Sequence, residues 1–155
     1  MINKLQKRKE SGFTIIEVLI VLAIAGLIMV VVFLAVPNLQ RSQRNNARKT
    51  DANNLLENLS EYVSNANGKL PSAACSGIGS GTGQCSWINY SPDQLTAVSY
   101  ATSIPVTTPD KTTAVLISGA ICNGVVPTTS GATTRDYVIY YGIEGSTATV
   151  CTKGS

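Results

Sequence analysis

A long apolar run, residues 13–36, constrains this 155-residue chain more than any other feature. As an α-helix its 24 residues would be about 36 Å long, whereas a bilayer core about 30 Å thick needs about 20 apolar residues. A secretory signal peptide usually has only about 7–15 apolar residues, followed by a cleavage site of small residues. This run is longer and continues into Pro37-Asn38-Leu39 without such a site. We therefore expect a retained transmembrane helix over residues 13–36.

Basic residues flank the apolar run on both sides. Before it lie Lys4, Lys7, Arg8 and Lys9, and after it lie Arg41, Arg44, Arg48 and Lys49. The cytoplasmic flank of a membrane helix usually carries more basic residues than the opposite flank. Here each flank has four, so this rule does not decide the orientation. The leader of 12 residues is too short to form a domain, however, and the four cysteines downstream favour an oxidising compartment. We expect the N-terminus in the cytoplasm and the rest of the chain across the membrane.

The composition argues against an enzyme. The chain has no histidine, which excludes Ser-His-Asp and Cys-His catalysis and most catalytic zinc sites. Only seven charged residues follow Pro71, and the four acidic ones among them are scattered, whereas calcium needs six to eight oxygen ligands. These four are Asp93, Asp110, Asp136 and Glu144. We therefore expect no catalytic residue, no metal site and no cofactor.

Glu17 is the residue that does not suit the apolar run. An ionised carboxylate at the centre of a membrane helix costs about 2.5–3.5 kcal/mol even on the insertion scale that gives the smallest values. Glu17 lies four residues after the start of the run, so the cost is somewhat smaller. Two interpretations are open. The carboxylate reaches the interface or is protonated there, or it meets a positive partner, because buried charges persist when they are paired.

The sequence around Glu17 favours a positive partner. The segment Gly12-Phe13-Thr14-Ile15-Ile16-Glu17, after a basic leader and at the start of a long apolar helix, resembles the processing site of type IV prepilins and the related pseudopilins. The resemblance covers about the first 65 residues. It implies that residues 1–12 are a leader cut off by a prepilin peptidase after Gly12, and that Phe13 is then N-methylated. Glycine at this position would let the peptidase approach the bond closely.

The resemblance also implies how the subunits assemble. Cleavage creates a positive amine at Phe13, and Glu17 of one subunit would pair with this amine on its neighbour. Both charges would then be neutralised only in the polymer. The implied protein is a structural subunit of a type IV pilus, with a role in adhesion, motility or DNA uptake. The alternative is a pseudopilin of a type II secretion system, or a minor pilin at a filament tip.

The implied partners and locations come from the same resemblance. The subunit would polymerise with itself after contact with the prepilin peptidase and methyltransferase, and with a pilus assembly platform and its ATPase. Before assembly it would be a single-pass precursor in the cytoplasmic membrane, where its helix contacts lipid. Afterwards it would lie in an extracellular pilus on the cell surface.

The helix is expected to continue beyond the membrane, to residue 67. Gly26 and Pro37 are helix breakers, so they predict either a gentle bend or, as in the resembled family, a stretch that loses helicity on assembly. Beyond Pro37 an apolar stripe recurs at helical spacing. Its members are Ala52, Leu55, Leu56, Leu59, Tyr62, Val63 and Ala66. Asn67-Gly68 is typical of a helix end, so residues 37–67 are expected to be the amphipathic half of one long helix.

Three arginines share one face of this amphipathic half. Arg41, Arg44 and Arg48 recur at i, i+3 and i+7. Some members of the resembled family bind DNA, and this face could serve that purpose. Lipid headgroups or salt bridges to neighbouring subunits would explain the same arginines, and no interleaved aromatic residues offer a surface on which bases could stack. The sequence leaves DNA open as a partner without favouring it.

The composition changes beyond the helix and predicts a β-rich head over residues 68–155. Its last 84 residues include 25 Ser or Thr and 10 Gly. Short β-rich runs occur at 86–90, 95–100, 114–121, 137–141 and 147–151. A small antiparallel sheet packed on the apolar stripe would bury one face of each element, which gives an α+β fold. The glycine-rich segment 77–83 lacks the lysine of a phosphate loop, so we expect a flexible surface loop there.

Four cysteines, Cys75, Cys85, Cys122 and Cys151, permit three disulfide pairings, and the sequence alone does not decide between them. Their spacing fits no CxxC redox or zinc pattern. We favour one bridge from Cys75 to Cys85, closing the glycine-rich loop, and one from Cys122 to Cys151, tying the last strand to the sheet. The resemblance supports the second bridge, since many pilins have a disulfide near the C-terminus. Free thiols are the remaining alternative.

Overall fold

A computed structural model describes residues 12–78, 82–145 and 149–154 of the chain. These residues form one α-helix, α1 (Ile15–Asn65), and seven β-strands. The chain divides into two compact units, with the boundary between Leu39 and Gln40, inside α1. The leader expected over residues 1–12 lies outside the described residues, except for Gly12.

The first unit is, in its described part, a helix with an apolar surface. Every residue from Gly12 to Leu39 is exposed, including Phe13 and Phe33. By length and composition, α1 contains a segment that could cross a membrane. A helix that is apolar on all sides is stable in lipid or inside a bundle of other apolar helices, because water disfavours such a surface.

Gly26 and Pro37 do not interrupt the helix. Both lie inside α1, which is continuous from Ile15 to Asn65 in the single chain, so the expected bend and the loss of helicity on assembly stay predictions. Proline removes a single backbone donor, and glycine only lowers the local helix propensity. The other backbone hydrogen bonds of this 51-residue helix can still form.

The helix ends within two residues of the predicted position. Its last residue is Asn65, and Asn67 and Gly68 follow with positive φ angles of 54° and 78°. The Gly68 amide donates to the Val63 carbonyl at 2.8 Å. Asparagine and glycine adopt this left-handed conformation most readily, and it lets the amides beyond the helix reach its last carbonyl groups.

The second unit contains all the strands. In chain order they are β1 (Cys75–Ser76), β2 (Ala97–Ala101), β3 (Thr113–Ser118), β4 (Ile121–Asn123), β5 (Val126–Thr128), β6 (Tyr137–Gly142) and β7 (Thr149–Lys153). Five of them form one sheet in the order β1-β2-β3-β6-β7, and β4 pairs with β5 in a separate hairpin. The sheet packs on the second half of α1, which confirms the α+β prediction.

Strand β6 is buried on both faces of the sheet. Alternate side chains of a strand point to opposite faces, and β6 has large apolar side chains at five consecutive positions. Tyr137, Ile139 and Tyr141 pack in the cluster that contains the buried leucines of α1. Val138 and Tyr140 belong to a second cluster, which Cys122 of the β4–β5 hairpin partly covers. Strand β6 therefore contributes to two small cores.

One strand pair differs from the prediction of an antiparallel sheet. Strands β2 and β3 are parallel, with Ala97 beside Thr113 and Ala101 beside Ile117. The other four strand pairs among the described residues are antiparallel. A parallel pair needs a connection long enough to return the chain to the same end of the sheet, and residues 102–112 provide it.

Residues 86–90, which the sequence predicts to be a strand, do not form one. Ile88 is buried in the core. The Trp87 ring packs between the rings of Tyr62 and Tyr100, and its centroid lies 5.7 Å from the centroid of each. These apolar residues therefore contact the helix and sheet without joining a ladder. The β4–β5 hairpin, by contrast, forms partly within a segment with no predicted strand.

Both disulfides join the pairs that the sequence analysis favours, Cys75 with Cys85 and Cys122 with Cys151. The first encloses the glycine-rich segment, of which residues 79–81 lie outside the described residues. The described ends of that segment are hydrogen bonded, since the Ser76 amide donates to the Gly83 carbonyl at 2.7 Å. The second bridge links β4 to β7 and so ties the hairpin to the edge of the sheet.

Candidate functional site

Thr14 and Glu17 form a capping box at the start of α1. The Glu17 amide donates to the Thr14 hydroxyl at 3.3 Å, and the Thr14 amide donates to Oε2 of Glu17 at 3.4 Å. The first four amides of a helix have no acceptor within it, and the pattern Thr-x-x-Glu supplies acceptors from two side chains. Glu17 therefore has a local role in starting the helix.

Only one carboxylate oxygen of Glu17 takes part in the capping box. Both Thr14 donors approach Oε2, and Oε1 has no hydrogen-bond partner within 12–78, 82–145 or 149–154. Within the same ranges Glu17 forms no ion pair. The residue lies beside a groove of about 310 Å³ that Phe13, Val18, Val21 and Leu22 also line. The carboxylate is thus an acceptor on an otherwise apolar surface, open to an external cation.

Gly12 and Phe13 precede α1 in the chain, and both are exposed. Phe13 is 85% exposed, and no described atom lies within 4 Å of the position that a side chain on Gly12 would occupy. Crowding by the described residues therefore does not explain the glycine.

A group of four residues connects α1 to the turn after β6, and we call it the Glu144 cluster. It consists of Arg44, Asn45, Arg48 and Glu144. Arg44 donates from Nη2 to Oε2 of Glu144 at 2.6 Å, and Arg48 donates from Nη2 to Oε1 at 2.8 Å. The Asn45 amide group also donates to the Glu144 carbonyl at 3.1 Å. Both oxygens of this carboxylate are therefore bound, Oε2 by Arg44 and Oε1 by both arginines, since Nε of Arg44 also lies 2.9 Å from Oε1.

The arginines hold Glu144 in its charged form. They lower the pKa of Glu144 to about 2, with the hydrogen bond from Arg44 as the largest cause and that from Arg48 as the second. The same hydrogen bond raises the pKa of Arg44. Arg48 is buried, and its Nε also donates to the Lys111 carbonyl at 2.6 Å. Burial of this guanidinium is possible because several acceptors surround it.

These contacts change the interpretation of the arginine face. Arg44 and Arg48 bind Glu144 of their own chain, whereas the sequence left lipid headgroups, neighbouring subunits and DNA as their partners. Among the described residues Arg41 has no side-chain partner. One exposed arginine is a poor basis for DNA binding, since affinity for phosphates grows with the number of cations that contact them.

Asp51 is a buried acidic residue of α1 that the sequence analysis did not identify. It accepts a hydrogen bond from the Tyr90 hydroxyl at 2.7 Å and two more from the amides of Gln94 and Leu95, at 2.7 and 3.2 Å. The hydrogen bond between the Tyr90 hydroxyl and Asp51 is the largest cause of the raised pKa of Tyr90. Asp51 therefore attaches the segment before β2 to the helix.

The acidic residues of the head do not converge on a metal site. Asp110 accepts hydrogen bonds from Thr112 and Thr113, and Asp136 accepts them from Thr133 and lies 3.1 Å from the Lys153 ammonium. The described residues contain no group of three or more His, Cys, Asp or Glu side chains that could hold a metal ion.

The signals for these residues differ in strength. The Thr14–Glu17 capping box could have been found from the Thr-x-x-Glu spacing alone. Glu144 has no such signal, because its partners lie 96 to 100 positions earlier in the chain. The partners of Asp51 lie 39 to 44 positions later, beyond the reach of any local pattern.

A comparison with protein families assigns the N-terminal part of the chain. The prokaryotic N-terminal methylation motif matches residues 7–33, a segment that contains Gly12, Phe13 and Glu17. No curated protein and no solved structure matches the chain. The match confirms the resemblance to type IV pilin-like prepilins over the segment in which the capping box and the apolar helix lie.

Proposed function

Since the chain carries the N-terminal segment of a type IV pilin-like prepilin, we propose that it is the precursor of a structural subunit of a type IV pilus. The observation that carries this proposal is Glu17, a carboxylate four residues after Phe13 on an apolar helix, with no cation beside it in the described residues. The role is structural, and no enzymatic activity is proposed.

Processing would follow from the accessible junction between Gly12 and Phe13. A prepilin peptidase hydrolyses the bond after Gly12, and the released N-terminal amine of Phe13 is then methylated. The exposure of Phe13 and the open space around Gly12 support this step, because an enzyme can reach both residues. Gly12 would be required by the peptidase, since no described residue crowds this position.

Assembly would pair Glu17 with the Phe13 amine of a neighbouring copy. Oε1 of Glu17 would accept this amine while Oε2 remains in the capping box with Thr14. In an apolar environment each charge alone is unfavourable, and pairing removes most of that cost. The exposed apolar side chains of residues 13–36 would then pack against the same segment of other copies.

The proposed location of the subunit changes between the precursor and the mature form. The precursor spans the cytoplasmic membrane once, with its N-terminus in the cytoplasm, and the mature subunit lies in a filament on the cell surface. The two disulfides of the head support an oxidising compartment for the segment that follows the helix. Contacts with an assembly platform and its ATPase would come between these two states.

The first test is mass spectrometry of protein sheared from the cell surface without reducing agent. The proposal requires a species that begins at methylated Phe13 and is four hydrogens lighter than the reduced chain, for two disulfides. A processed form found only in membranes would point to a pseudopilin or a minor pilin. A chain that still begins at Met1 would contradict the proposal altogether.

Glu17→Ala tests the proposed assembly contact. We expect the precursor to be inserted and cleaved normally, because the Gly12–Phe13 junction is unchanged, but we expect electron microscopy to find no normal filaments. Glu61→Ala is a suitable control, since it removes an exposed glutamate from the same helix outside the apolar segment. Normal filaments from Glu17→Ala would exclude the ion pair.

A further inference from the structure

Four exposed charged side chains in the second half of α1 have no side-chain partner among the described residues, namely Arg41, Lys49, Glu57 and Glu61. Lys49 and Glu57 form no ion pair and no side-chain hydrogen bond with any residue in 12–78, 82–145 or 149–154. They are eight residues apart on the helix, or about 12 Å along its axis. Helical side chains pair three or four residues apart, so Lys49 and Glu57 do not neutralise each other within one chain.

Glu57 lies in a groove between α1 and the edge of the sheet. The groove has a volume of about 340 Å³. Its helix wall consists of Asn53, Leu56, Glu57 and Ser60, and its sheet wall consists of Tyr137, Thr152, Lys153 and Gly154. The helix wall therefore presents amide, carboxylate and hydroxyl oxygens, together with one apolar side chain.

The uncompensated charge of this groove is negative. The Lys153 ammonium lies 3.1 Å from the Asp136 carboxylate, which offsets its charge. Asn53, Glu57 and Ser60, like Lys49, have no side-chain partner among the residues that the structure describes. Such a groove suits an ammonium group on a long apolar stem, because the stem can lie along Leu56 while the charge reaches Glu57.

We propose that this groove binds Lys49 of a second copy of the same chain. The inference rests on the proposed pilus function, in which copies of α1 run parallel. Two parallel copies displaced by about 12 Å along the helix place Lys49 of one beside Glu57 of the other. In chain order the cation precedes the anion, as it does for Phe13 and Glu17, so both pairs need displacement in the same direction. The distances differ, about 6 Å for four residues and about 12 Å for eight, so the two pairs would join a copy to different neighbours.

Charge reversal in the full-length chain tests the proposal. We expect Lys49→Glu and Glu57→Lys each to lower the yield of sheared filaments about tenfold, because like charges then meet at every repeat of the interface. The double variant, Lys49→Glu with Glu57→Lys, restores the pair with opposite polarity and should return most of the yield. Lys69→Glu is the matched control, because Lys69 is an exposed lysine beyond the helix, and it should leave the yield unchanged.

The state of the disulfides distinguishes a variant that misfolds from one that folds but does not assemble. Each variant should resist alkylation of its cysteines without reductant, as expected for a head in which all four are paired. Single variants that are folded yet assemble like the wild type would overturn the inference, and so would a double variant no better than either single one. Absence of filaments from the wild type would instead contradict the pilus function itself.

A cross-link gives a second, positive readout. In the variant Lys49→Cys with Glu57→Cys, neighbouring copies carry the two new thiols at the proposed contact. Mild oxidation of filaments should produce a ladder of multimers that reductant collapses to a monomer. Filaments that remain monomeric on such a gel would overturn the inference, since the two positions then do not meet.

Discussion

Asn45 and Glu144 exchange two hydrogen bonds, although 99 positions separate them in the chain. The side-chain amide of Asn45 donates to the Glu144 carbonyl at 3.1 Å, and the Glu144 amide donates to Oδ1 of Asn45 at 2.8 Å. Asn45 thus binds the backbone of the residue whose carboxylate Arg44 and Arg48 bind. The turn after β6 is fixed to α1 through both its main chain and its side chain.

This attachment should make the head less stable in acid. Glu144 has a pKa of about 2 in the folded chain, below its ordinary value of 4.5, so it stabilises the fold fully above about pH 4.5. The contribution should be lost as the pH falls from about 4.5 to about 2. We expect denaturant midpoints, followed by the fluorescence of Trp87, to fall over this range.

The variant Glu144→Gln identifies the share of this pH dependence that comes from the Glu144 cluster. It should be less stable than the wild type at neutral pH and should lose less stability on acidification. Asp136 also has a pKa of about 2, through hydrogen bonds from Thr133 and contact with Lys153, so part of the pH dependence will remain. Equal acid sensitivity in Glu144→Gln and the wild type would contradict this account.

Asp51→Ala should destabilise the head by about 1–3 kcal/mol at neutral pH, because it leaves three donors without their acceptor. Tyr90→Phe removes only one of these hydrogen bonds and should cost about 1 kcal/mol. Denaturant titration of both variants measures the difference. Asp93→Ala, an exposed aspartate with no side-chain partner in the described residues, provides the control and should change the stability little.

The two disulfides should contribute unequally to stability. The Cys122–Cys151 bridge spans 29 positions and the Cys75–Cys85 bridge only 10. In the chain-entropy model, replacing both cysteines by serine should cost about 3–4 kcal/mol for the longer loop and about 2.5–3 kcal/mol for the shorter one. Thermal unfolding of the two double-serine variants gives the comparison, and a larger loss for the shorter loop would contradict the prediction.

Gly142→Ala should disturb the head through the backbone of a neighbouring loop. A Cβ on Gly142 would lie 2.5 Å from the Asp110 carbonyl oxygen, a distance at which the chain has to move. The same oxygen accepts a hydrogen bond from the Gly142 amide at 3.2 Å. We expect a loss of about 1–3 kcal/mol, typical of overpacking, whereas Gly145→Ala should show only the strain of its positive φ.

The sequence predicts the elements that depend on local interactions, and it does not predict those that depend on residues far apart in the chain. The long helix, its stop at Asn67-Gly68 and the strands near β2, β3, β6 and β7 have local patterns of period, turn residues and composition. The parallel pairing of β2 with β3 does not, because it depends on the path of residues 102–112 across the sheet. A local pattern cannot distinguish that path from a hairpin.

The candidate site shows the same division. Gly12, Phe13 and Glu17 lie within six residues, so their arrangement was visible in the sequence. The partners of Arg44 and Arg48 are not visible there. The spacing places these arginines on one polar face of the helix, and Glu144 comes beside them only in the folded chain. Charge periodicity identifies the face of a helix but not the loop that packs on it.

The disulfides have a consequence for the order in which the chain folds. Cys75 pairs with the next cysteine along the chain, Cys85, and Cys122 likewise pairs with the next one, Cys151. A polypeptide that reaches the oxidising compartment from its N-terminal end therefore meets each correct partner first. Its native bridges can form in order of emergence, without the reshuffling that an isomerase would otherwise have to catalyse.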